Sequence, residues 1–191
     1  MSPSSKNGKQ ARVALNAPAE RSEIEQQPMA TKGGLPMPEP AKENQQLEPL
    51  IGEWSMAIVM PDQARPDELP DIGARVKFEW MGEKAFVLER WIVPIPEAPD
   101  GLAVIGWDEG RGAFLQHYFD ERGIARIYEM SLEGDVWKLE RTKPDFAPFE
   151  FSQRFIGTFT NDRKRIDGTW QIGRAHNTWE KDFDLIYTRV P

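Results

Sequence analysis

Arg126 and Tyr128 are the residues whose types and spacing are best suited to holding a ligand. In an extended strand, Arg126, Tyr128 and Met130 lie on one face, because side chains alternate with a period of two. Inside a small barrel, an arginine offers two parallel donors to a carboxylate, and a tyrosine hydroxyl adds a third. The alternative is an outward Arg126 that pairs with Glu129 or Asp120, and the sequence leaves both arrangements open.

A second group of polar residues lies in the preceding segment, at Gln116, His117 and Tyr118. The same alternation places His117 with Leu115 and Phe119 on one face, and Gln116 with Tyr118 on the other. Either face can be the interior of the barrel, its lumen. A lumenal His117 would be an acid, a base or a ligand, whereas the other interpretation is a hydrogen-bonded histidine without a chemical role.

Gln153 is a third candidate, because its amide shares a strand face with phenylalanines such as Phe151 and Phe155. A buried amide needs a hydrogen-bond partner, and a bound ligand can supply one.

Signatures of enzymes and of metal sites are missing from the sequence. It contains no cysteine and only two histidines, His117 and His176, whereas a dedicated metal site normally assembles three or more ligands. Nucleophile elbows, phosphate-binding loops and dinucleotide fingerprints are also absent. We therefore expect no catalytic residue, no metal and no cofactor, although enzymatic activity stays an open question.

The composition excludes several classes of partner. The chain has 191 residues and a formal net charge of −7, which argues against a surface that neutralises nucleic acid or anionic lipid. No segment approaches the roughly 18 apolar residues of a membrane helix. Absence of cysteine suits a reducing compartment. We expect a cytoplasmic protein that binds neither nucleic acid nor membrane.

The elements that would position these residues follow from a change of pattern near residue 41. Residues 1–40 are rich in Ser, Pro, Gly and Gln, which predicts a disordered tail. A short helix that covers one barrel end is expected within 41–51. From Glu53 onward, about ten alternating segments separated by short glycine-bearing turns predict an all-β domain over 41–191. Its fold would be an antiparallel up-and-down β-barrel.

Several motifs of this region indicate a particular kind of barrel. Gly52 and Trp54 form Gly-x-Trp at the start of the first strand, and Arg189 lies near the end of the last one. Together with the ten-strand order they resemble the calycins, which include lipocalins, fatty-acid-binding proteins and nitrobindin-like barrels. The phrases at 105–108, 116–120 and 122–131 are similar to a family of small bacterial lipocalin-like proteins of unknown function. The resemblance covers about residues 46–190.

The resemblance implies a structural role for the first and last strands. In lipocalins the first-strand tryptophan packs against a basic side chain of the last strand, which implies Arg189 over Trp54 here. Nitrobindin-like barrels hold haem through a histidine in their last strand, and residues 180–190 contain none. Fatty-acid-binding proteins hold a carboxylate with an Arg-x-Tyr pair in the last strand, whereas the pair here lies in about the sixth.

These observations lead to one main hypothesis and two alternatives. The main hypothesis is a binding protein, monomeric or homodimeric, whose barrel takes a small apolar or amphipathic molecule. Its polar anchors would be Arg126, Tyr128, Gln116 and Gln153. One alternative is a haem-type sensor or enzyme that uses His117 with Tyr118. The other is a filled barrel with a structural or interaction role.

Overall fold

The computed structural model describes residues 30–32, 35–37, 39–63, 69–142, 151–174 and 178–191. The chain divides into two compact units, Met1–Met37 and Pro38–Pro191. In the first unit, two short strands, β1 (Ala30–Lys32) and β2 (Leu35–Met37), pair antiparallel. The sequence predicts no regular structure for this segment. Most of it lies outside the described residues, so disorder there stays a prediction.

In its described residues, the second unit forms a closed antiparallel barrel of ten strands. In chain order they are β3 (Gly52–Val59), β4 (Arg75–Met81), β5 (Phe86–Ile92), β6 (Gly101–Asp108), β7 (Ala113–Asp120), β8 (Ala125–Glu133), β9 (Val136–Arg141), β10 (Ser152–Thr160), β11 (Arg165–Arg174) and β12 (Thr178–Arg189). Each strand pairs with the next one in the chain, and β12 pairs with β3 to close the ring. The predicted all-β class and the up-and-down order are therefore confirmed.

Residues that tolerate a left-handed backbone form the tight turns. Gly134, between β8 and β9, has a φ of 60°, where a residue without a β-carbon is unstrained. Asn161 and Asp162, between β10 and β11, both have a φ of 51°, and these two residue types visit that region most readily after glycine. Short turns of this kind make each strand run antiparallel to the one before it.

A 3-10 helix over Lys42–Leu50 covers the end of the barrel where β3 begins. Its buried residues are Asn44, Leu47 and Leu50, at a spacing of three, which is the period of a 3-10 helix. The two leucines are fully buried in the same core as Trp54. The helix is longer than the one or two turns expected, and Pro49 lies inside it rather than interrupting it. We call this end of the barrel the helix end and the opposite one the far end.

Aromatic side chains fill the interior near the helix end. Trp137 on β9 and Phe78 on β4 have ring centroids 6.0 Å apart, although β9 and β4 are five strands apart in the ring of ten and thus lie opposite each other. Trp137 also contacts Phe155 at 5.0 Å and Tyr187 at 5.8 Å. Because these rings touch across the whole diameter, this level of the barrel is a packed core.

Among the described residues, no helix has both the length and the apolar character that are needed to span a membrane.

Candidate functional site

Trp54 and Arg189 make a buried contact at the helix end, where the first and last barrel strands pair. The guanidinium carbon of Arg189 lies 4.2 Å from the Trp54 ring centroid, which is the cation–π arrangement that the resemblance implies. Arg189 also donates from Nη1 to the carbonyl of Ile51 and from Nη2 to that of Pro49, both at 2.6 Å. The indole nitrogen of Trp54 donates to the carbonyl of Leu50 at 2.8 Å. These bonds tie the helix to the barrel, which is a structural role.

Gly52 provides the space for this arrangement. Its φ is 130°, and a β-carbon added there would lie 2.6 Å from Nη1 of Arg189. Burial lowers the pKa of Arg189. Its hydrogen bonds to the two carbonyls replace part of the hydration that the guanidinium loses on burial.

Strand β7 shows which of its faces is the lumen. Phe114 and Gln116 are 2% and 4% exposed, and Tyr118 packs against the interior, whereas Phe119 is 42% exposed. His117 shares the face of Phe119, because side chains of a strand alternate. His117 therefore lies on the outer face. The structure does not have the predicted arrangement in which a lumenal His117 acts as a ligand-binding residue, an acid or a base. His176 lies outside the described residues.

Arg126, Tyr128 and Gln153 meet inside the barrel. Nη1 of Arg126 donates to Oε1 of Gln153 at 2.8 Å and to the hydroxyl of Tyr128 at 3.3 Å. The Tyr128 hydroxyl donates to the same Oε1 at 2.8 Å. Tyr128 and Gln153 are 1% and 7% exposed, and Arg126 is half-buried. Of the two arrangements that the sequence left open for Arg126, the structure has the inward one.

Aromatic rings surround this polar group. The guanidinium carbon of Arg126 lies 5.7 Å from the Tyr118 ring and 6.0 Å from the Phe151 ring. Tyr118 stacks on Trp91 at 5.0 Å and meets the edge of Tyr128 at 6.4 Å. A cation between aromatic faces is stabilised by their quadrupoles, so these rings favour the inward position of the arginine.

Asp120 is occupied by partners other than Arg126. Its carboxylate accepts hydrogen bonds from the Tyr118 hydroxyl at 2.8 Å and from Nη2 of Arg122 at 2.6 Å. Burial opposes ionisation of this carboxyl, but these bonds outweigh burial and lower its pKa. For Tyr118, burial and then the bond to Asp120 raise the pKa. Asp120 therefore holds the Tyr118 ring in place beside Arg126.

A second carboxyl lies close enough to Arg126 to respond to its charge. Asp182 on β12 is half-buried, and burial raises its pKa, whereas the charge of Arg126 partly opposes the rise. The interior at this level therefore contains a guanidinium, an amide, two phenols and two carboxyls.

The polar group lies at the far end of the barrel. Arg126 is the second residue of β8 and Gln153 the second of β10, and both strands begin at the end away from the helix. Two surface hollows lie away from this polar group. One, of about 790 Å³, lies at the helix end beside Pro49 and Gly134, and the other, of about 290 Å³, lies beside Ile58 and Ile72. Over the described residues, Arg126 and Gln153 line neither of them.

Glu89 is a buried residue that the sequence analysis did not place inside. It is 6% exposed, and Nε2 of Gln116 donates a hydrogen bond to its carboxylate. Burial raises its pKa to about 7, and Gln116 opposes this only in part. Ala103 lies on the strand between them, and its small side chain leaves room for the contact. The alternation of Val87, Glu89 and Trp91 was the signal that could have identified it.

Gln116 thus has its own partner, away from Arg126. Of the predicted anchors, the structure brings Arg126, Tyr128, Gln153 and Tyr118 together, and it places Gln116 with Glu89 deeper in the barrel. Among the described residues, no group of three or more His, Asp or Glu side chains is arranged to hold a metal ion.

Comparison with known proteins adds little to this description. No protein-family model matches the chain, and no curated protein matches it. Among solved structures, the chain is similar to the crystal structure of Rv2717c from M. tuberculosis, with 17% sequence identity over 80% of this chain and 100% of that chain and a TM-score of 0.49. The barrel fold rests on the strand pairing alone.

Proposed function

We propose that the protein binds a small amphipathic molecule at the far end of the barrel, with an anionic group of the ligand against Arg126. The observation that carries this proposal is the position of the guanidinium: two neutral acceptors, Gln153 and Tyr128, orient it on the inner face. Gln153 and Tyr128 fix the direction of the guanidinium on the inner face, and a guanidinium held in this way can donate parallel hydrogen bonds to a carboxylate.

The surroundings of Arg126 suit the apolar part of such a ligand. Trp91, Tyr118 and Trp170 are half-buried, and their rings belong to the wall of the interior near the far end. The contact between Trp137 and Phe78 fills the level near the helix end. The ligand is therefore small, because a chain long enough to span the barrel would have to displace packed rings.

Membership of the calycins and a cytoplasmic location are part of the proposal. The ten-stranded barrel and the Arg189–Trp54 contact support the first. A haem or acid–base function of His117 is not proposed, because that side chain lies on the outer face.

The test uses 8-anilinonaphthalene-1-sulfonate, a fluorescent probe that is both apolar and anionic. We expect the probe to bind the wild-type protein and octanoate to displace it, with octanol much weaker than octanoate. Arg126→Ala should weaken probe binding by roughly 10-fold or more, because a hydrogen bond to a charged group contributes about 1.5–3 kcal/mol.

Arg154→Ala is the matched control. Arg154 lies on the outer face of β10, next to Gln153, where it packs 4.2 Å from the Trp179 ring. Equal effects of the two substitutions, or equal displacement by octanoate and octanol, would exclude Arg126 as the anchor. Native mass spectrometry of protein purified from its own host would then show whether any acid leaves with it on denaturation.

A further inference from the structure

The outer surface of the barrel is apolar on one side. On β5 it presents Phe86, Leu88 and Ile92, on β6 Leu102 and Val104, and on β7 Phe119; we call these six residues the apolar face. Two polar residues lie among them, because Arg90 is between Leu88 and Ile92 on β5, and His117 on β7 is opposite Val104. Ile92, Phe119 and Phe86 are 61%, 42% and 40% exposed. Strand pairing makes the face continuous, because Leu88 lies opposite Val104, and Leu102 lies opposite Phe119.

Charged pairs border this face on both sides. On β4, Lys77 and Glu79 form an ion pair at 2.6 Å, and on β9, Lys138 and Glu140 form one at 2.7 Å. Both pairs belong to the outer surface, since Val76, Phe78, Trp137 and Leu139 point inward. An apolar centre with a charged rim is the anatomy of a protein interface.

We propose that the apolar face binds the same face of a second copy of this chain. Two charges near opposite corners of the outer surface of β5–β8, which includes the apolar face, are self-complementary. Arg90 is exposed on β5 and is aligned across the strands with Leu102 and Phe119. Glu129 is exposed on β8, two outward-facing positions along the strands from that line. The cation and the anion thus occupy opposite corners. In a two-fold symmetric dimer every contact between two different residues occurs twice, so Arg90 of each copy can pair with Glu129 of the other.

The area of the face limits the strength of this contact. Four strands about 4.8 Å apart and about 20 Å long give roughly 400 Å² in projection per copy. This is smaller than the roughly 800 Å² per partner of a standard interface, so we expect a weak dimer that dissociates on dilution.

Sedimentation velocity of the full chain over a concentration series of about 1–200 μM is the test, since that range brackets micromolar dissociation. We expect the wild type to pass from monomer to dimer. Phe119→Lys should leave it monomeric throughout. Ile156→Lys, at a residue that is 36% exposed on the outer surface of β10, should dimerise like the wild type. Circular dichroism verifies that each variant is folded.

A charge exchange tests the orientation of the two copies. Arg90→Glu and Glu129→Arg should each weaken the dimer by roughly 3-fold or more, since an exposed ion pair is replaced by a like-charge contact, and the double exchange should restore it. The proposal is overturned if the wild type stays monomeric at every concentration, or if Phe119→Lys and Ile156→Lys dimerise equally well. It is equally overturned if the apolar face binds only an unrelated protein and never a second copy.

Discussion

Replacement of Glu89 by glutamine should make the protein more stable at neutral pH and less sensitive to pH. Glu89 is buried, and its pKa in the folded protein is raised to about 7 from an ordinary value of 4.5. Between about pH 4.5 and pH 7, the Glu89 carboxyl is ionised in the unfolded chain and protonated in the folded protein. The stability that this carboxyl contributes is therefore present below about pH 4.5 and is lost as the pH rises through about 7.

The size of the effect follows from the same two values. A rise of the pKa from 4.5 to about 7 corresponds to a penalty of about 3 kcal/mol for ionisation in the folded protein. Glu89→Gln removes the ionisable group but keeps an oxygen that can accept the hydrogen bond from Gln116. The difference in unfolding free energy between variant and wild type should thus grow by about 3 kcal/mol between pH 4.5 and pH 8.

Urea unfolding followed by tryptophan fluorescence measures this difference at a series of pH values. Other carboxyls also change stability with pH, and subtraction of the two curves removes their contribution. Glu83→Gln is the control, because Glu83 is exposed in the turn between β4 and β5. The reasoning is refuted if the Glu89→Gln difference is constant over the pH series, or if it changes no more with pH than that of Glu83→Gln.

Two further substitutions test the packing of the helix and of the core. Asn44→Ala removes the hydrogen bonds from the Asn44 amide to the carbonyls of Lys84 and Ala85, both 2.9 Å long. Urea unfolding should show a loss of about 1–3 kcal/mol in the free energy of unfolding. An unchanged unfolding midpoint would show that the helix is held without these bonds. Gly168→Ala should lower the melting temperature sharply, because its new β-carbon would lie 2.2 Å from the Phe155 ring; a melting temperature equal to that of the wild type would show that this ring can move away.

The strand pattern and the turn residues were sufficient to predict the barrel. Alternation from Trp54 onward indicates half-buried strands, and short glycine turns such as the one at Gly134 allow sequential strands to pair. Closure through β12 and β3 was predicted because a meander of ten strands satisfies its edges in that way. The same alternation correctly placed Arg126 and Tyr128 on one face.

The sequence could not decide which face of β7 is interior. Both faces carry large apolar side chains, since Phe114 and Tyr118 point inward while Leu115 and Phe119 point outward. A hydrophobic pattern identifies the interior only where the other face is polar, and the apolar face of β5–β7 removes that contrast. The position of His117 was therefore ambiguous.

Glu89 was missed for a different reason. A carboxyl residue next to an arginine in sequence, here Arg90, is usually exposed, and this expectation outweighs the weak signal of alternation with Val87 and Trp91. Burial of a carboxyl is expensive, and here the hydrogen bond from Gln116 offsets part of that cost beside the small Ala103. Neither neighbour is close to Glu89 in sequence.

The pairing of β12 with β3 sets the order of events during synthesis on the ribosome. Trp54 lies opposite Arg189, about 135 residues later, so the barrel cannot close until β12 has left the exit tunnel. Until then β3 has an unpaired edge that is open to other nascent chains. Contacts of such long sequence separation also slow folding. Pairing of β12 with β3 is therefore the step that converts an open sheet, which is prone to association, into a closed barrel.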